Sequence, residues 1–144
     1  MAIRFYESEA REMGRDSTGV RGIKLKGDDK AISLDVVRED SDLLLVTDTG
    51  FGKRVKVERF NRQGRGGLGV RAIKLTAARG FVVAATMASL HDEVLLASSG
   101  GVLIRTPVRE ISSQGRDATG VRVMNLDDGH SVATAAVVPS DDED

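Results

Sequence analysis

The sequence is poor in the residues that most often carry catalysis, metal binding and disulfide chemistry. Its 144 residues include no cysteine and no tryptophan, and only one tyrosine, two prolines and two histidines. The lack of cysteine excludes disulfides, thiolate nucleophiles and cysteine-ligated zinc, and it is typical of a reducing compartment. No apolar run approaches the roughly 20 residues that a membrane-spanning helix needs. We therefore predict a cytoplasmic protein without a membrane segment, whose core is built from Val, Ile, Leu and Ala.

Candidate catalytic and metal-binding residues are equally sparse. His91 and His130 lie far apart, each in a polar turn and neither beside a paired carboxylate motif. No G-x-S-x-G or H-E-x-x-H motif occurs. The single tyrosine, Tyr6, lies in a predicted strand and matches no catalytic context. The sequence thus predicts neither a catalytic site nor a metal site in this chain.

One sequence motif occurs three times, at residues 14–21 (GRDSTGVR), 64–71 (GRGGLGVR) and 115–122 (GRDATGVR). The spacing is about 50 residues, which is typical of a repeat architecture. Each copy has two arginines that bracket a glycine-flanked turn. Guanidinium groups at regular intervals suit a long, regular anionic partner better than a small substrate.

Between these loops the sequence predicts short strands. Period-two alternation or short apolar runs occur at 20–25, 31–37, 43–47, 53–60, 70–75, 81–86, 94–97, 103–111, 121–126 and 131–138. Pro107 indicates an edge strand or a bulge. Four strands in each repeat are typical of a bladed ring. We predict an all-β fold of about three four-stranded antiparallel blades over residues 1–139, with almost no helix.

Three blades are too few to close a ring of this kind, since propellers typically have 4–8. We therefore expect either that the chain is part of a longer polypeptide or that two chains associate into a ring of six units. Exposed edges of the end blades would favour such self-association.

Charge is segregated along the chain although the formal net charge is only −1. Residues 51–75 contain eight Lys or Arg and a single acid, Glu58, whereas residues 127–144 contain six acids and no Lys or Arg. A basic patch beside an acidic tail is typical of polyanion binding with an internal competitor. The alternative is an ordinary solvated surface with a disordered tail, which we place at 140–144.

The loop at 63–69 (QGRGGLG) differs from its two counterparts because it has no aspartate beside the arginine. Its glycines permit positive φ angles, and successive backbone N–H groups can form an anion-binding concavity. Arg65 would supply a charge-assisted contact to a phosphate there. Two alternatives remain. The segment 64–69 formally matches the dinucleotide fingerprint G-x-G-x-x-G, which requires a following helix that the alternation after Val70 does not predict. It could also be a glycine-rich connection that only turns the chain.

The segment 63–69 is similar to the gyrase A box, a glycine- and arginine-containing heptad of the DNA gyrase A subunit. The sequence around it, at 3–5, 14–15 and 18–25, resembles a late blade of that subunit's C-terminal domain, and residues 50–54 and 111–116 resemble the next two. The resemblance implies a β-pinwheel, a six-bladed ring with strands exchanged between neighbours, whose rim bends and wraps DNA. It also implies that the parent protein is a type IIA topoisomerase associated with the nucleoid, in which A and B subunits form an A2B2 enzyme. That enzyme uses ATP and Mg to introduce negative supercoils, whereas no cofactor is implied for this chain.

Two departures from the family pattern indicate an auxiliary box. The family box usually lies in the first blade, whereas this loop lies in the middle of three late ones. Gly64 stands where the box often has a second arginine, and Leu68 stands where it usually has lysine. We expect a smaller contribution to affinity than a box with those two cations would make.

We predict contacts to duplex DNA from the basic residues of this region and from the arginines of the flanking loops. The leading phosphate contacts are Arg65, Arg62, Arg71, Lys53, Arg54 and Lys56. The loop shape would come from Gly66, Gly67 and Gly69, and Gln63 and Gly64 of the same heptad are also predicted to be DNA-binding. The secondary contacts are Arg15, Arg21, Arg116 and Arg122. Two competing interpretations are a bladed protein-interaction module, with an exposed apolar patch and weak salt dependence, and the equivalent domain of topoisomerase IV.

Overall fold

The computed structural model describes residues 1–140 as an all-β chain, which confirms the predicted fold class. Its strands are β1 (Ser41–Thr47), β2 (Phe51–Lys56), β3 (Val82–Ser89), β4 (Glu93–Ser98), β5 (Leu103–Pro107), β6 (Val121–Arg122) and β7 (Val132–Val138). The only helical elements in residues 1–140 are 3-10 turns, at Glu7–Glu9, Val57–Arg59, Ala77–Arg79 and Val108–Glu110. None of them is long or apolar enough to cross a bilayer. The predicted acidic tail lies outside the described residues, apart from Ser140.

The strands form two antiparallel sheets, ordered β3-β1-β2-β6 and β5-β4-β7. β1 and β2 form a hairpin through a tight turn that ends at Gly50, whose φ is 90°. A Cβ at that position would lie 2.4 Å from the carbonyl oxygen of Met124. Only glycine therefore satisfies both the left-handed backbone and the close approach of the neighbouring chain.

The second repeat contains β1, β2 and β3, and the third contains β4, β5, β6 and β7. Within their own repeats, β3 pairs with β1, with Leu45 opposite Ala85, and β7 pairs with β4, with Leu95 opposite Ala136. The sheet of the second repeat takes its fourth strand from the third repeat, because β6 pairs with β2, with Gly52 opposite Val121. This β2–β6 pair links consecutive repeats by backbone hydrogen bonds, as the strand exchange of the resembled fold implies.

The β1–β2 hairpin is buried on both faces. Leu44 and Val46 belong to one cluster with Val94 and Leu96 of β4, together with Val108, Ile111, Met124 and Val132 of the third repeat. Leu45 points to the opposite face, because side chains alternate along a strand. There it packs with Val55, Phe60, Ala72 and Ile73, and Ala2 lies against this second cluster. The central sheet is thus held between the first and third repeats.

Several predicted strands are confirmed, with shifted ends. Segments 43–47, 81–86, 94–97 and 131–138 lie within or nearly within β1, β3, β4 and β7. The predicted strand 53–60 is β2 followed by a 3-10 turn, and 103–111 is β5 followed by another. Pro107 ends β5, which is the edge strand of its sheet, as its missing N–H predicts.

The strands predicted at 20–25, 31–37 and 70–75 are not formed, and only the first two residues of 121–126 are a strand. β3 and β7 are strands because β1 and β4, about 40 residues earlier, pair with them. No earlier strand among residues 1–140 pairs with 31–37. Val70 makes a single bridge to Ala2 and no continuing ladder.

The segment 31–38 instead lies along the free edge of β3 and contacts it through side chains. The Asp35 carboxylate accepts a hydrogen bond of 2.8 Å from the Met87 amide, and Arg38 donates one of 3.2 Å to the Met87 carbonyl. The Ser33 hydroxyl donates to the carbonyl of Ala85. Side chains here replace part of the backbone ladder that an adjacent strand would make.

Candidate nucleic-acid interface

The 63–69 loop lies at the surface and is anchored at both ends to the first repeat. The Gln63 amide donates to the Arg4 carbonyl at 2.8 Å. At the other end, Val70 and Ala2 exchange two backbone hydrogen bonds of 2.8 Å each. Gly64 and Leu68 are exposed between these anchors. The loop is therefore fixed at its base and open to solvent at its tip.

The glycines of this loop have different structural roles. Gly66 and Gly69 have φ angles of 83° and 72°, and a Cβ at Gly69 would lie 2.3 Å from the carbonyl oxygen of Ala2. Gly64 has no atom within 4 Å of its notional Cβ. A side chain at position 69 would therefore be disfavoured both by the positive φ angle and by a clash with Ala2. At position 64 there is room for a side chain.

The predicted concavity of free N–H groups is wrong for the middle of the loop. The Arg65 amide donates to the Glu9 carboxylate at 3.0 Å, and the Gly66 amide donates to the Gly22 carbonyl at 2.8 Å. These donors are already used within the fold. A phosphate bound here would depend on side-chain cations rather than on a backbone cradle.

Arg65 links its loop to the loop of the preceding repeat. Its Nε donates to the Glu9 carbonyl at 2.9 Å, and its Nη1 donates to the Arg21 carbonyl at 2.5 Å. Arg116, its counterpart in the third repeat, donates in the same way to the Arg71 carbonyl at 3.2 Å. The structure thus brings Arg65 together with Arg21, and Arg116 together with Arg71, in a repeated arrangement along consecutive loops.

Lys53 does not contact solvent, so its prediction as a phosphate contact is wrong. Its side chain has 0% relative exposure. Its Nζ donates to the carbonyls of Gly115, Arg116 and Ala118 at 2.7, 3.0 and 2.9 Å. Burial lowers the pKa of Lys53 to about 8, against the opposing effect of the Asp117 carboxylate. The buried ammonium group thus holds the loop at 115–122 in place by hydrogen bonds to three of its carbonyl groups.

The prediction that Arg54 contacts a phosphate is also wrong, because this side chain is buried as well. The residue is 9% exposed, its Nε donates to the Ile111 carbonyl at 2.7 Å, and its Nη1 pairs with the Asp42 carboxylate at 2.5 Å. A guanidinium that is buried and paired in this way stabilises the junction between the second and third repeats. It is not placed to contact DNA.

Two further predicted contacts are exposed but already have partners. The guanidinium carbon of Arg62 lies 4.3 Å from the ring centroid of Tyr6, and its Nη1 donates to the tyrosine hydroxyl at 2.7 Å. Arg71 forms a surface ion pair of 3.4 Å with Asp117. Surface pairs of this kind contribute little to stability and can be exchanged for a phosphate.

Other cations have no hydrogen-bond or ion-pair partner within residues 1–140. Lys56, Arg15 and Arg21 are exposed, and no acceptor contacts their side chains in that part of the chain. The Arg122 guanidinium lies 4.6 Å from the Phe51 ring centroid. Arg79, which the sequence pattern did not single out, lies over the same ring at 3.7 Å. Its signal in the sequence was an arginine in a turn next to Gly80, just outside the basic stretch 51–75.

The arrangement is suited to electrostatic binding. No group of three His, Cys, Asp or Glu side chains that could hold a metal ion occurs in the described residues. What residues 1–140 offer is a series of arginine-bearing loops, joined to one another by guanidinium–carbonyl hydrogen bonds. Guanidinium groups have the planar donor geometry that matches phosphate.

The family model described as DNA gyrase C-terminal domain, beta-propeller, matches residues 1–38, 41–89 and 92–139. The chain belongs to this family. The three matched segments correspond to the first, second and third repeats of the chain, and the resemblance stated from the 63–69 heptad is confirmed.

Individual relatives agree with the DNA gyrase C-terminal domain family. The chain is 40% identical to the DNA gyrase A subunit of Chlamydia pneumoniae over 145 residues, which cover 100% of the chain and 17% of the relative. It is also 40% identical to the DNA gyrase A subunit of Staphylococcus aureus, covering 99% of the chain and 16% of that protein. The chain therefore spans about a sixth of the length of these relatives.

Solved structures show the same fold. A DNA gyrase A C-terminal domain superposes with a TM-score of 0.86 at 34% identity, covering 92% of this chain and 45% of that one. The C-terminal domain of DNA topoisomerase IV gives a TM-score of 0.86 at 24% identity, covering 93% and 42%. The second similarity shows the fold alone.

Proposed function

We propose that this chain binds duplex DNA without sequence specificity and bends it along its rim, as the C-terminal part of a DNA gyrase A subunit. The observation that carries the proposal is the match of the whole chain to gyrase A subunits, at 40% identity. In this proposal, the other domains of the gyrase, in both its A and B subunits, supply the ATP-dependent chemistry. The chain supports negative supercoiling by presenting wrapped DNA to them.

Electrostatics is the proposed source of affinity. Each phosphate that a cation neutralises releases counterions, so the logarithm of the affinity falls with the logarithm of salt concentration by roughly 0.9 per contact. Bending 20–30 base pairs costs on the order of 1–6 kcal/mol, so several contacts must act together. Exposed cations on the first loop and at the ends of β2 and β6, namely Arg15, Arg21, Lys56 and Arg122, support this interpretation.

The first experiment measures the affinity of the chain for two unrelated fluorescent duplexes at about 50 and 200 mM salt. We expect equal affinities for the two sequences and a steep loss at the higher salt. Arg65→Ala should weaken binding alike on both duplexes, whereas Arg109→Ala is the control, since Arg109 is exposed on a 3-10 turn outside the arginine-bearing loops. Wild-type affinity of Arg65→Ala at low salt would remove the 63–69 loop from the interface.

A second candidate function, protein interaction, is favoured by one observation. Ile32, Leu34 and Val36 have exposed fractions of 55%, 92% and 68%. An apolar segment of this kind fits the exposed patch that a protein-interaction module requires. Weak DNA binding that changes little between the two salt concentrations would support this function and contradict the first.

A further inference from the structure

We propose that two copies of this chain associate head to tail into a closed dimer, in which the first repeat of each copy covers the free sheet edge of the other copy's third repeat. The inference goes beyond the proposed function and involves no DNA. Within the chain, one set of contacts joins the first repeat to the second and recurs between the second and the third. We call this set the repeat junction. The same junction can form between the third repeat of one copy and the first repeat of another.

The sheet of the third repeat lacks the fourth strand that completes the sheet of the second. β2 pairs with β6 of the following repeat, whereas its counterpart β5 is an edge strand among residues 1–140. Val102 and Leu103 at this edge are 49% and 62% exposed, whereas Phe51, the counterpart of Val102, is 9% exposed. An apolar strand edge of this kind favours the addition of a strand from another chain.

The first repeat contains the segment that would complete this sheet. Val70 of the second repeat exchanges two backbone hydrogen bonds of 2.8 Å with Ala2 of the first, and the β2–β6 pair repeats this contact one repeat later. The next pair in the series is Val20 with Leu103. Val20 is exposed, and its amide and carbonyl make no hydrogen bond within residues 1–140. Its backbone is therefore available to a second copy.

An open groove beside β5 corresponds to the place that the loop of a following repeat occupies. The groove is lined by Ile104 and by residues 122–125. Lys53, the counterpart of Ile104, contacts three carbonyls of the 115–122 loop. In a second copy, the loop in register with Ile104 is the one at 14–21. That loop would fill the groove, with an apolar side chain beneath it in place of the lysine.

Arg15 has donors that this position would satisfy. Its counterparts Arg65 and Arg116 each donate to a backbone carbonyl in the loop of the preceding repeat, at 2.5 and 3.2 Å. The next acceptor in this series is the carbonyl of Arg122, which lies at the groove. Arg15 is exposed and has no acceptor in the described part of its own chain. The junction would give its guanidinium a charge-assisted hydrogen bond.

Arg105 is already arranged for the same junction. Both Arg105 and its counterpart Arg54 form an ion pair with an acid of their own sheet. The third repeat covers Arg54, whose Nε donates to the Ile111 carbonyl at 2.7 Å. The side chain of Arg54 is 10% exposed, whereas that of Arg105 is 61% exposed. The first repeat has Ala10 in the place of Ile111, and the Ala10 carbonyl accepts no hydrogen bond within residues 1–140.

Two such junctions would close the dimer. Each copy has one free β5 edge and one unpaired segment at Val20, so each gives one strand and receives one. A DNA gyrase A C-terminal domain matches this chain over 45% of its own length, so two copies contain about as many repeats as that domain. Closed assemblies of two copies are the commonest among soluble oligomers, and closure leaves neither edge exposed.

Engineered cysteines test the pairing directly, because the chain has no cysteine of its own. Opposite residues of adjacent antiparallel strands lie about 5.5 Å apart, which is within disulfide range. Val20→Cys and Leu103→Cys are refolded together and oxidised, and each is also oxidised alone. We expect a covalent dimer from the mixture and none from either variant alone. A dimer of Leu103→Cys with itself would mean that two β5 edges pair with each other, which would overturn the head-to-tail arrangement, as would the absence of a crosslink in the mixture.

The double variant Val20→Cys/Leu103→Cys distinguishes a closed dimer from an open series of copies. A closed dimer contains two disulfides and gives a single species of twice the chain mass under non-reducing conditions. A ladder of larger species would mean open assembly. A disulfide within one copy would mean that the chain closes on itself. Either result would overturn the closed dimer.

Sedimentation equilibrium over a concentration series measures the oligomeric state of the whole chain without DNA. We expect twice the chain mass for the parent and the mass of one chain for Leu103→Asp, because a carboxylate would be placed on the pairing edge. Leu34→Asp is the matched control, since Leu34 is a more exposed leucine outside the junction. Circular dichroism and the melting temperature establish that each variant is folded. A monomeric parent at every concentration, or dissociation by Leu34→Asp and not by Leu103→Asp, would overturn the proposal.

Discussion

The Nζ of Lys53 lies 2.9 Å from the carbonyl oxygen of Ala118. It also donates to the carbonyls of Gly115 and Arg116, so a strand of the second repeat holds the loop of the third repeat in place. Ile3 and Ile104 occupy the equivalent positions of the other repeats. In the 63–69 loop, the Cδ1 of Ile3 lies 3.5 Å from the notional Cβ of Gly67. A charged side chain in one repeat thus replaces an apolar one in its neighbours.

Replacing Lys53 with methionine should change how stability depends on pH. The pKa of Lys53 is lowered to about 8 in the folded chain from 10.5, so between these values the unfolded chain holds the proton and the folded chain does not. The free energy of unfolding of the parent should therefore rise with pH through this window, relative to Lys53→Met. The rise is at most between about 3 and 4 kcal/mol, since the two pKa values differ by 10.5 − 8 = 2.5 and each pKa unit corresponds to about 1.4 kcal/mol.

Urea unfolding of both proteins at several pH values between 7 and 10.5 measures this difference, because the other titrating groups are common to both. Well below pH 8 the difference should be constant, because Lys53 is then protonated in both the folded and the unfolded chain. A difference that falls as the pH rises would show that the carbonyl contacts keep the ammonium charged and that its pKa lies above 10.5.

The comparison of repeats explains what the sequence could predict about this lysine. Lys53 lies in a basic stretch, so counting charges assigned it to DNA. Its counterparts Ile3 and Ile104 are apolar, which indicates an inward-facing position. Arg54 has the counterpart Arg4, which donates to the carbonyls of Val57 and Phe60. Aligning the repeats residue by residue would have placed Lys53 inside the fold, but it gives no such signal for Arg54, whose counterparts Arg4 and Arg105 are also arginines.

The strand predictions had a different physical limit. Alternation correctly marked the segments that became β1, β3, β4 and β7, because each found a partner within the chain. The same alternation at 31–37 did not lead to a strand. A strand needs a neighbouring strand to pair with, and the periodicity of one segment does not show whether such a neighbour is present. The contact between Arg79 and Phe51 could not be predicted for a related reason. These two residues are distant in sequence and meet only because Thr49 holds the turn that contains Arg79.

Alanine at Gly69 should destabilise the chain, whereas alanine at Gly64 should not. Gly69 has a φ of 72° and a notional Cβ 2.3 Å from the Ala2 carbonyl oxygen, so Gly69→Ala should cost at least about 2 kcal/mol of unfolding free energy. Gly64 has no positive φ and no atom within 4 Å of its notional Cβ. Denaturant unfolding of the two variants checks this, and equal stabilities would contradict the tight backbone contact at Ala2.

Removing the charge of Asp117 should strengthen DNA binding. Asp117 pairs with Arg71 at 3.4 Å on the surface, and it occupies the position that Gly66 holds in the 63–69 loop. Asp117→Asn keeps the shape of the side chain and releases Arg71 for a phosphate, so we expect a several-fold rise in affinity and a steeper salt slope. The control is Asp128→Asn, an exposed aspartate of another turn. Equal effects of the two variants would indicate a general change in net charge rather than the release of Arg71.

Adding a cation at Gly64 should convert the auxiliary loop into a stronger DNA contact. The position is exposed, has no positive φ and has open space around it, so Gly64→Arg should fold like the parent. One additional phosphate contact would steepen the log–log dependence of affinity on salt by about 0.9. Gly64→Gln is the control, because it adds a side chain of comparable length without charge and should leave the slope unchanged. Anisotropy titrations over a salt series measure both variants. If Gly64→Arg gave the slope of the parent while remaining folded, the tip of the 63–69 loop would not face the DNA, and the interface would have to be confined to the other arginines of the rim.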